Sequence, residues 1–125
     1  IGIQVDLQIL SFNTYVEKLG STRDWESYLG GFAGGGIEPH SGSNIWSSQG
    51  GLHTFNQGPQ AGEPPIQGWE VSDWEKEIDR LYIAASQEFD ETKRKAIYAK
   101  FQQIAQEQLP FIHLVERLSL DAVSD

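Results

Sequence analysis

Three histidines are the side chains of this chain best suited to bind a metal ion or to transfer a proton. His40, His53 and His113 lie far apart in the sequence, and their spacing matches no common set of metal ligands. His113 lies in an apolar stretch, which favours a hydrogen-bonded structural role, whereas His40 and His53 could line a site in a long loop. The chain has no cysteine, so Cys-based zinc sites, iron–sulfur clusters and thiol nucleophiles are excluded. We therefore predict no metal site.

Carboxylates are the second group of candidates, because glycoside hydrolysis uses two of them across a defined gap. Glu38 is a lone candidate in the loop, while Glu63 and Glu70 lie in a stretch with the composition of an exposed linker. The sequence contains no Gly-x-Ser-x-Gly segment of the kind that carries a nucleophilic serine. We predict no catalytic residues and no cofactor, and we keep a hydrolase that uses Glu38 as an alternative.

Gly34, Gly35 and Gly36 form a run that invites comparison with a phosphate-binding loop. A Walker loop continues into Gly-Lys-Ser or Gly-Lys-Thr and opens a helix, and neither feature follows here. Trp46, close to Asn44 and several serines, is more informative, since an aromatic face among amides is typical of sites for small polar ligands. The alternative is that Trp46 packs against its own loop.

Composition and charge narrow the range of partners. Lys and Arg total 9 against 18 Asp and Glu, which gives a formal net charge of −9. Binding to nucleic acid phosphates needs a clustered cationic surface, so we predict no nucleic-acid partner, and an anionic membrane surface is also disfavoured. At 125 residues the chain has the length of one domain. It begins with Ile1 inside an apolar alternation, which we interpret as a piece cut from a longer protein.

The first half of the chain is predicted to contain strands, one helix and a long loop. Apolar side chains occupy every odd position of residues 1–9, the period-two pattern of a strand with one buried face. From Gly34 to about Gly68 the composition is that of a loop, with one helical turn at Ser43–Ser47. The predicted regular elements are a strand over 2–9, a helix over 12–19 and a strand over 28–33.

The second half is predicted to contain two helices, over 73–87 and 91–107. Ser72-x-x-Glu75 has the pattern of a capping box at the start of the first helix. The almost continuous apolar run after the second helix favours a strand over 111–116, covered on both faces. Strands that alternate with helices predict an α/β fold, with a small mixed sheet flanked by helices.

Five stretches occur in an order found in a known family. They are a Gly/aromatic segment ending in Glu-Pro (32–39), a Trp/Ser/Gly/Asn loop (46–56), Ile-Asp-Arg-Leu (78–81), an Asp-x-x-x-Arg-x-x-x-Tyr helix (90–98) and Gln-Leu-Pro-Phe-Ile (108–112). This order resembles the C-terminal part of family-5 extracellular solute-binding proteins, the peptide-, nickel- and opine-binding components of ABC importers. The resemblance covers nearly the whole chain, and its strongest part is the helix followed by Leu-Pro-Phe-Ile.

The resemblance implies a non-catalytic binding protein with two lobes of the type II periplasmic-binding-protein-like fold. Residues 1–125 would be a single domain, part of the C-terminal lobe, and the partners would be a small polar solute, the other lobe and the ABC permease subunits. The location would be periplasmic or otherwise extracytoplasmic, with a lipoprotein anchor as one option. Peptide-binding members hold the peptide's α-amino group with an aspartate, and Gly35, which cannot form that ion pair, stands at that position here. The resemblance therefore leaves the ligand class open between a peptide and another small polar solute.

The resemblance also places the stretch after the second strand at the ligand cleft. The ligand-binding residues that we predict are Gly34, Gly35, Gly36, Glu38, Asn44, Trp46 and Asn56. In this set the glycines leave backbone amides open, Trp46 supplies an apolar face, and Asn44 supplies a donor and an acceptor. Glu38 would favour a cationic group, or it would instead cap and brace the loop beside Pro39. A stand-alone interaction domain, whose loop contacts another protein, is the remaining alternative.

Overall fold

The computed structural model describes residues 2–32, 37–59 and 61–115. The α-helices of this part of the chain are α1 (Phe12–Glu17), α2 (Ser43–Trp46), α3 (Asp73–Gln87) and α4 (Glu91–Gln108). A π-helical turn, Lys18–Thr22, follows α1, and 3₁₀ turns at Pro39–Gly42 and Thr54–Asn56 lie on either side of α2. α3 and α4 are joined by a short connection and pack against each other.

The two long helices predicted for the second half are confirmed. Their ends could be predicted because they are set by local hydrogen bonds. Glu75 N donates to Ser72 Oγ at 3.4 Å, and Ser72 N donates to Glu75 Oε2 at 2.6 Å, which completes the capping box of α3. Asp90 caps α4 by accepting from Lys93 N at 2.9 Å. α4 ends where Leu109 takes a left-handed conformation with φ of 46°.

The shorter predicted helices are also present. The helix predicted over 12–19 is α1 in its first six residues and then continues as the π-helical turn. Ser11 caps α1 by accepting from Thr14 N at 3.3 Å. The helical turn predicted at Ser43–Ser47 is α2.

The core lies between α3, α4 and the loop that carries α2. Its buried residues are Ile78, Tyr82, Ala85 and Tyr98, and the partly buried residues packed against them are Trp46, Trp74, Ile97, Phe101 and Ile104. The Tyr82 ring meets the rings of Tyr98 and Phe101 edge-on, with centroids 5.8 Å and 5.1 Å apart. Since Trp46 comes from the loop, the core is built jointly by the loop and by the pair of helices α3 and α4, which we call the hairpin.

Two charged side chains of the hairpin fasten the loop to it. The Asp79 carboxylate of α3 accepts from the backbone N of Ser48 at 2.9 Å and from its hydroxyl at 2.6 Å. The Arg94 guanidinium of α4 donates to the Ala85 carbonyl at 3.0 Å and, through its two terminal nitrogens, to both carboxylate oxygens of Glu38. The loop is therefore attached both near the middle of α3 and beside its C-terminal end.

The predicted sheet is wrong. None of the described residues lies in a strand, although strands were expected over 2–9, 28–33 and 111–116. Ala33 and Glu116, at the ends of two of these ranges, lie outside the described residues. The described chain is helical, so neither the α/β class, with its small mixed sheet flanked by helices, nor the type II periplasmic-binding-protein-like lobe built on such a sheet describes it.

The physical reason is visible in the segment with the clearest alternation. Ile3, Val5, Leu7 and Ile9 are 72–90% exposed, so the face that the pattern predicted to be buried has no cover. A strand also needs a neighbour for its backbone N–H and C=O groups. The described residues supply neither, and alternation alone provides no partner strand.

Replacing Ile78 with alanine should lower the free energy of unfolding by about 2–4 kcal/mol, because the fully buried side chain would leave a cavity. Ile83→Ala removes the same atoms from the same helix, but Ile83 is 60% exposed, so the loss should stay below about 0.5 kcal/mol. Urea unfolding followed by circular dichroism measures both values. Equal losses in the two variants would contradict this assignment of the core.

Candidate functional site

A buried carboxylate lies at the start of α3. Glu75 is the third residue of the helix, its side chain is 1% exposed, and the carboxylate accepts from the backbone N of Ser72 in the capping box. The imidazole of His53, which comes from the loop and is also fully buried, lies on the other oxygen, with Nε2 2.8 Å from Glu75 Oε1. An unpaired carboxylate could not be buried here without a large desolvation penalty, so these contacts are what allow its burial.

The hydrogen bonds of His53 place its ring hydrogens. Its Nδ1 lies 3.0 Å from the carbonyl oxygen of Ile45, which can only accept, so Nδ1 carries a hydrogen. Its Nε2 lies 2.8 Å from Glu75 Oε1, a distance that requires one hydrogen between the two atoms. The buried pair of His53 and Glu75 therefore carries no net charge.

The pKa of the Glu75 carboxyl is set by two opposing effects. Burial alone raises this pKa, but the hydrogen bonds from Ser72, His53 and Asn56 together outweigh burial and leave it below the ordinary value of 4.5. Glu75 is therefore a carboxylate at neutral pH, in agreement with the three nitrogen atoms, of His53, Asn56 and Ser72, that lie at hydrogen-bond distance from its oxygens.

Asn56 closes this network on the side of the loop. Its Nδ2 donates to the Glu70 carbonyl at 3.0 Å and lies 2.9 Å from each oxygen of Glu75, so both of its amide hydrogens are used. Its Oδ1 accepts no hydrogen bond from any residue in the described part of the chain. Asn56 thus keeps one free acceptor beside the buried pair.

An open cleft of about 420 Å³ lies next to this network. It is bounded by the 3₁₀ turn at Thr54–Asn56, the start of α3 and the end of α4, and its lining residues are Phe55, Asn56, Ser72, Trp74, Glu75, Gln108 and Pro110. The rings of Phe55 and Trp74 are stacked, with centroids 5.7 Å apart and planes 23° apart. We call this space the α3 cleft. Its lining combines an aromatic wall with the polar side chains of Asn56, Ser72, Glu75 and Gln108.

Glu38, one of the predicted site residues, lies outside this cleft and caps a turn. It accepts from the backbone N of His40 at 3.0 Å and pairs with the Arg94 guanidinium. The hydrogen bond from Arg94, followed by that from His40, holds the pKa of the Glu38 carboxyl below its usual value. These contacts are those of the capping and bracing role, one of the two roles predicted for Glu38.

Asn44 also makes contacts within its own loop. Its Oδ1 accepts from the backbone N of Gly51 at 2.8 Å, and its carbonyl accepts from Leu52 N at 3.0 Å. Gly50 passes so close to this carbonyl that a Cβ atom there would lie 2.1 Å from the oxygen, so only glycine fits. Asn44 is otherwise exposed, and its amide hydrogens face no partner in the described residues.

Trp46 packs into a group of aromatic rings. Its ring centroid lies 6.0 Å from that of Phe55, 5.0 Å from that of Phe101 and 5.6 Å from that of Phe111. Its remaining surface borders a second cleft of about 350 Å³, which we call the α4 cleft. The other residues lining the α4 cleft are Phe101, Gln102, Ala105, Gln106, Leu109 and His113.

The structure does not bring the predicted site residues to one place. Glu38 lies beside Arg94, Asn44 lies in a loop turn, Trp46 lines the α4 cleft and Asn56 lines the α3 cleft. Gly34, Gly35 and Gly36 lie outside the described residues. Whether these seven residues contact a ligand stays a prediction.

Two residues of the α3 network were not in the predicted set. Glu75 was identified only as part of a capping box, although a signal for its burial is present, since it shares a helix face with Ile78, Tyr82 and Ala85 at positions i, i+3, i+7 and i+10. A carboxylate within an apolar stripe needs buried partners. His53 was considered as a site residue, but its sequence position gave no sign of which group it meets.

The described residues contain no group of three or more acidic or histidine side chains arranged to hold a metal ion. No helix among them is long and apolar enough to cross a bilayer. The groups that the α3 cleft presents to a ligand are aromatic faces, amide groups and a carboxylate that is paired with His53.

Comparison with known proteins gives one significant likeness. No protein-family model matches the chain, and no solved structure matches it significantly. A curated relative, described as a probable ABC transporter-binding protein of Deinococcus radiodurans, is 28% identical in an alignment of 125 positions that covers 91% of this chain. The chain spans 20% of that relative's length. The likeness supports an ABC transporter-binding kind of protein and does not single out family 5.

Replacing Glu75 with glutamine should lower the free energy of unfolding by about 3 kcal/mol, because one partner of the buried His53–Glu75 pair would be lost while the other stays buried. Glu91→Gln is the matched control: Glu91 lies in the first turn of α4, and its side chain is 81% exposed, so the change in the free energy of unfolding should be small. Chemical denaturation at pH 7 measures both. A loss in Glu75→Gln no larger than in the control would show that the pair does not support the fold.

The lowered pKa of Glu75 predicts how stability depends on pH. A carboxyl whose pKa is lower in the folded state stabilises the fold above its ordinary value of 4.5, and this stabilisation is lost as pH falls toward the folded-state pKa. Between about pH 5 and pH 3 the unfolding free energy of the native chain should fall more steeply than that of Glu75→Gln, by up to about 1.4 kcal/mol per pH unit. Urea titrations at a series of pH values measure both slopes, and parallel curves would contradict the shift.

Proposed function

We propose that this chain is part of the solute-binding component of an ABC importer, and that it captures a small polar solute without chemical change. The observation that carries the proposal is the likeness to the Deinococcus radiodurans protein over 91% of the chain. The order of sequence segments supports the same kind of protein and makes family 5 the finer proposal. In this proposal residues 1–125 belong to the C-terminal part of a longer protein that works outside the cytoplasm and delivers its solute, a peptide or another polar molecule, to a permease.

The exposed apolar surface supports the idea that further protein covers part of this chain. Ile37 and Phe89 are fully exposed, and Ile9 and Val115 are about nine-tenths exposed. Single exposed apolar residues are ordinary, but Ile3, Val5, Leu7 and Ile9 are four of them within one short segment, and concentrated apolar surface usually meets a partner. In the proposed binding protein that partner is the rest of the same molecule.

The electrostatics of Glu38 support a non-catalytic function. A glycosidase acid must hold a proton near neutral pH, and it does so through a raised pKa. Arg94 and His40 act in the opposite direction on Glu38 and lower the pKa of its carboxyl. A carboxylate in that state is a poor proton donor, and both of its oxygens are already engaged by His40 and Arg94, so we propose a bracing role for Glu38 rather than that of a hydrolase acid.

For the ligand contact we keep the predicted set as a proposal and give Trp46 the leading role in it. The supporting observation is the α4 cleft, where Trp46 and Phe101 lie beside the exposed amides of Gln102 and Gln106. An apolar face next to amide donors and acceptors suits a polar organic solute.

A panel of solutes tests the proposed function on the gene product that carries this chain. The panel contains di- and tripeptides, single amino acids and monosaccharides, and each is added during a thermal unfolding scan. A solute present at a hundred times its Kd should stabilise the protein by about 2.7 kcal/mol, because it binds only the folded state. A panel in which no solute raises the melting temperature would contradict solute capture for these classes.

Trp46→Phe tests the role of Trp46 without removing its core packing. If Trp46 contacts the solute, the variant should bind it about three- to tenfold more weakly while losing less than about 1.5 kcal/mol of stability. Trp25→Phe is the matched control, since Trp25 packs against Tyr28 outside both clefts. Isothermal titration calorimetry with the solute found in the panel gives the affinities, and equal affinities in the two variants would remove Trp46 from the ligand contact.

A further inference from the structure

We propose that the α3 cleft binds the guanidinium group of a solute, held flat against the ring of Trp74 and hydrogen-bonded to Asn56. The inference rests on the proposed function, because it names the chemical group by which a captured solute is held. It concerns a different cleft from the one that Trp46 lines, and it can be tested separately.

The aromatic wall of the cleft carries the first step. Trp74 is stacked against Phe55, whose ring contacts His53 with centroids 4.1 Å apart and Phe111 with centroids 5.1 Å apart, so the wall is held in place from behind. A tryptophan face attracts cations through its ring quadrupole, and a guanidinium, being planar, can stack on it. The cleft volume of about 420 Å³ is within the range of small-molecule sites.

The hydrogen-bonding groups carry the second step. Asn56 uses its amide hydrogens on the Glu70 carbonyl and the Glu75 carboxylate, and its Oδ1 accepts no hydrogen bond from the described residues, so this oxygen can take a donor from a ligand. A guanidinium has five N–H donors and no acceptor. The N-terminal end of α3 is closed to a ligand anion, because Glu75 already occupies the amide of Ser72.

The charges around the cleft carry the third step. No Lys or Arg is among the described residues that line it, and the chain as a whole has a formal net charge of −9. Gln108 and Pro110 flank the C-terminal end of α4, which carries the negative end of the helix dipole, and the last turn of α4 contains no basic residue. The paired His53 and Glu75 add no net charge. The N-terminal end of α3, which also borders the cleft, carries the positive end of its dipole and acts against a cation. The preference for a cation is therefore carried by the end of α4, the absence of Lys and Arg among the described lining residues and the net charge of the chain.

Methylguanidinium and methylurea are suitable probes, because they have nearly the same shape and differ in charge. Each is titrated into the ¹⁵N-labelled chain, and the indole Nε1–H of Trp74 and the side-chain amide of Asn56 are followed by NMR. We expect methylguanidinium to shift both signals with a Kd about tenfold lower than that of methylurea. The indole signal of Trp25, outside the cleft, serves as the internal control. Equal Kd values for the two probes, or shifts no larger than those of Trp25, would overturn the proposal.

Gln108→Lys tests the electrostatic part at an exposed position of the cleft. A cation there should raise the Kd of methylguanidinium roughly threefold or more and leave that of methylurea unchanged. Gln106→Lys is the matched control, because it makes the same charge change two residues earlier on the same helix, at the α4 cleft. If both variants weaken methylguanidinium binding equally, the overall charge of the chain explains the effect, and the assignment to the α3 cleft is overturned.

The solute panel separates this inference from the proposed function. A panel solute whose affinity is unchanged in Gln108→Lys, together with no response to methylguanidinium, overturns the inference and leaves solute capture standing. Methylguanidinium binding with the expected selectivity supports the cleft as a cation site even when no panel solute binds, a result that would count against the proposed function alone.

Discussion

The buried carboxylate of Glu75 is the interaction on which the candidate site depends. It accepts a hydrogen bond from the backbone N of Ser72 at the start of α3 and is hydrogen-bonded to His53 and Asn56 of the loop. One side chain therefore caps the N-terminal end of a helix and positions a loop at the same time. A carboxylate is stable in such a place only when it is fully paired. Any rearrangement that withdraws the loop from α3 must therefore leave a buried charge unpaired, and this keeps the floor of the α3 cleft in one arrangement.

The remaining attachments of the loop are graded in strength by their exposure. The Asp79 carboxylate, which holds the backbone and hydroxyl of Ser48, lies in partly buried surroundings. The Glu38–Arg94 pair has side chains 53% and 30% exposed, and ion pairs of this kind contribute little to stability. The loop is thus held most firmly at Glu75 and least firmly at Glu38. If it moves when a solute binds, the physical expectation is that the Glu38 end moves first.

The helices could be predicted from the sequence because their signals are local. Ser72, Asp90 and Leu109 act within four residues of the positions where they begin or end a helix, and no distant partner is needed. The prediction of a sheet failed because its signal was not sufficient. The alternation of Ile3, Val5, Leu7 and Ile9 indicates an apolar face but contains no information on which residues would pack against it or pair with the strand. The α3 network was missed for a related reason. Neither His53 nor Asn56 carries a sign in the sequence that its partner is Glu75, 22 and 19 residues further along.

The state of Glu75 also decides how the α3 cleft can attract a cation. If Glu75 were an unpaired carboxylate facing the cleft, it would attract any cation strongly but would not tolerate burial. Paired with His53, it contributes no net charge and acts by holding Asn56 with its oxygen free and its hydrogens occupied. Selectivity then comes from directional groups, namely the Trp74 face and the Asn56 acceptor, together with the end of α4. Such a site distinguishes a flat donor-rich cation from a compact one, because a strongly hydrated ammonium gains less from a ring face than a guanidinium does.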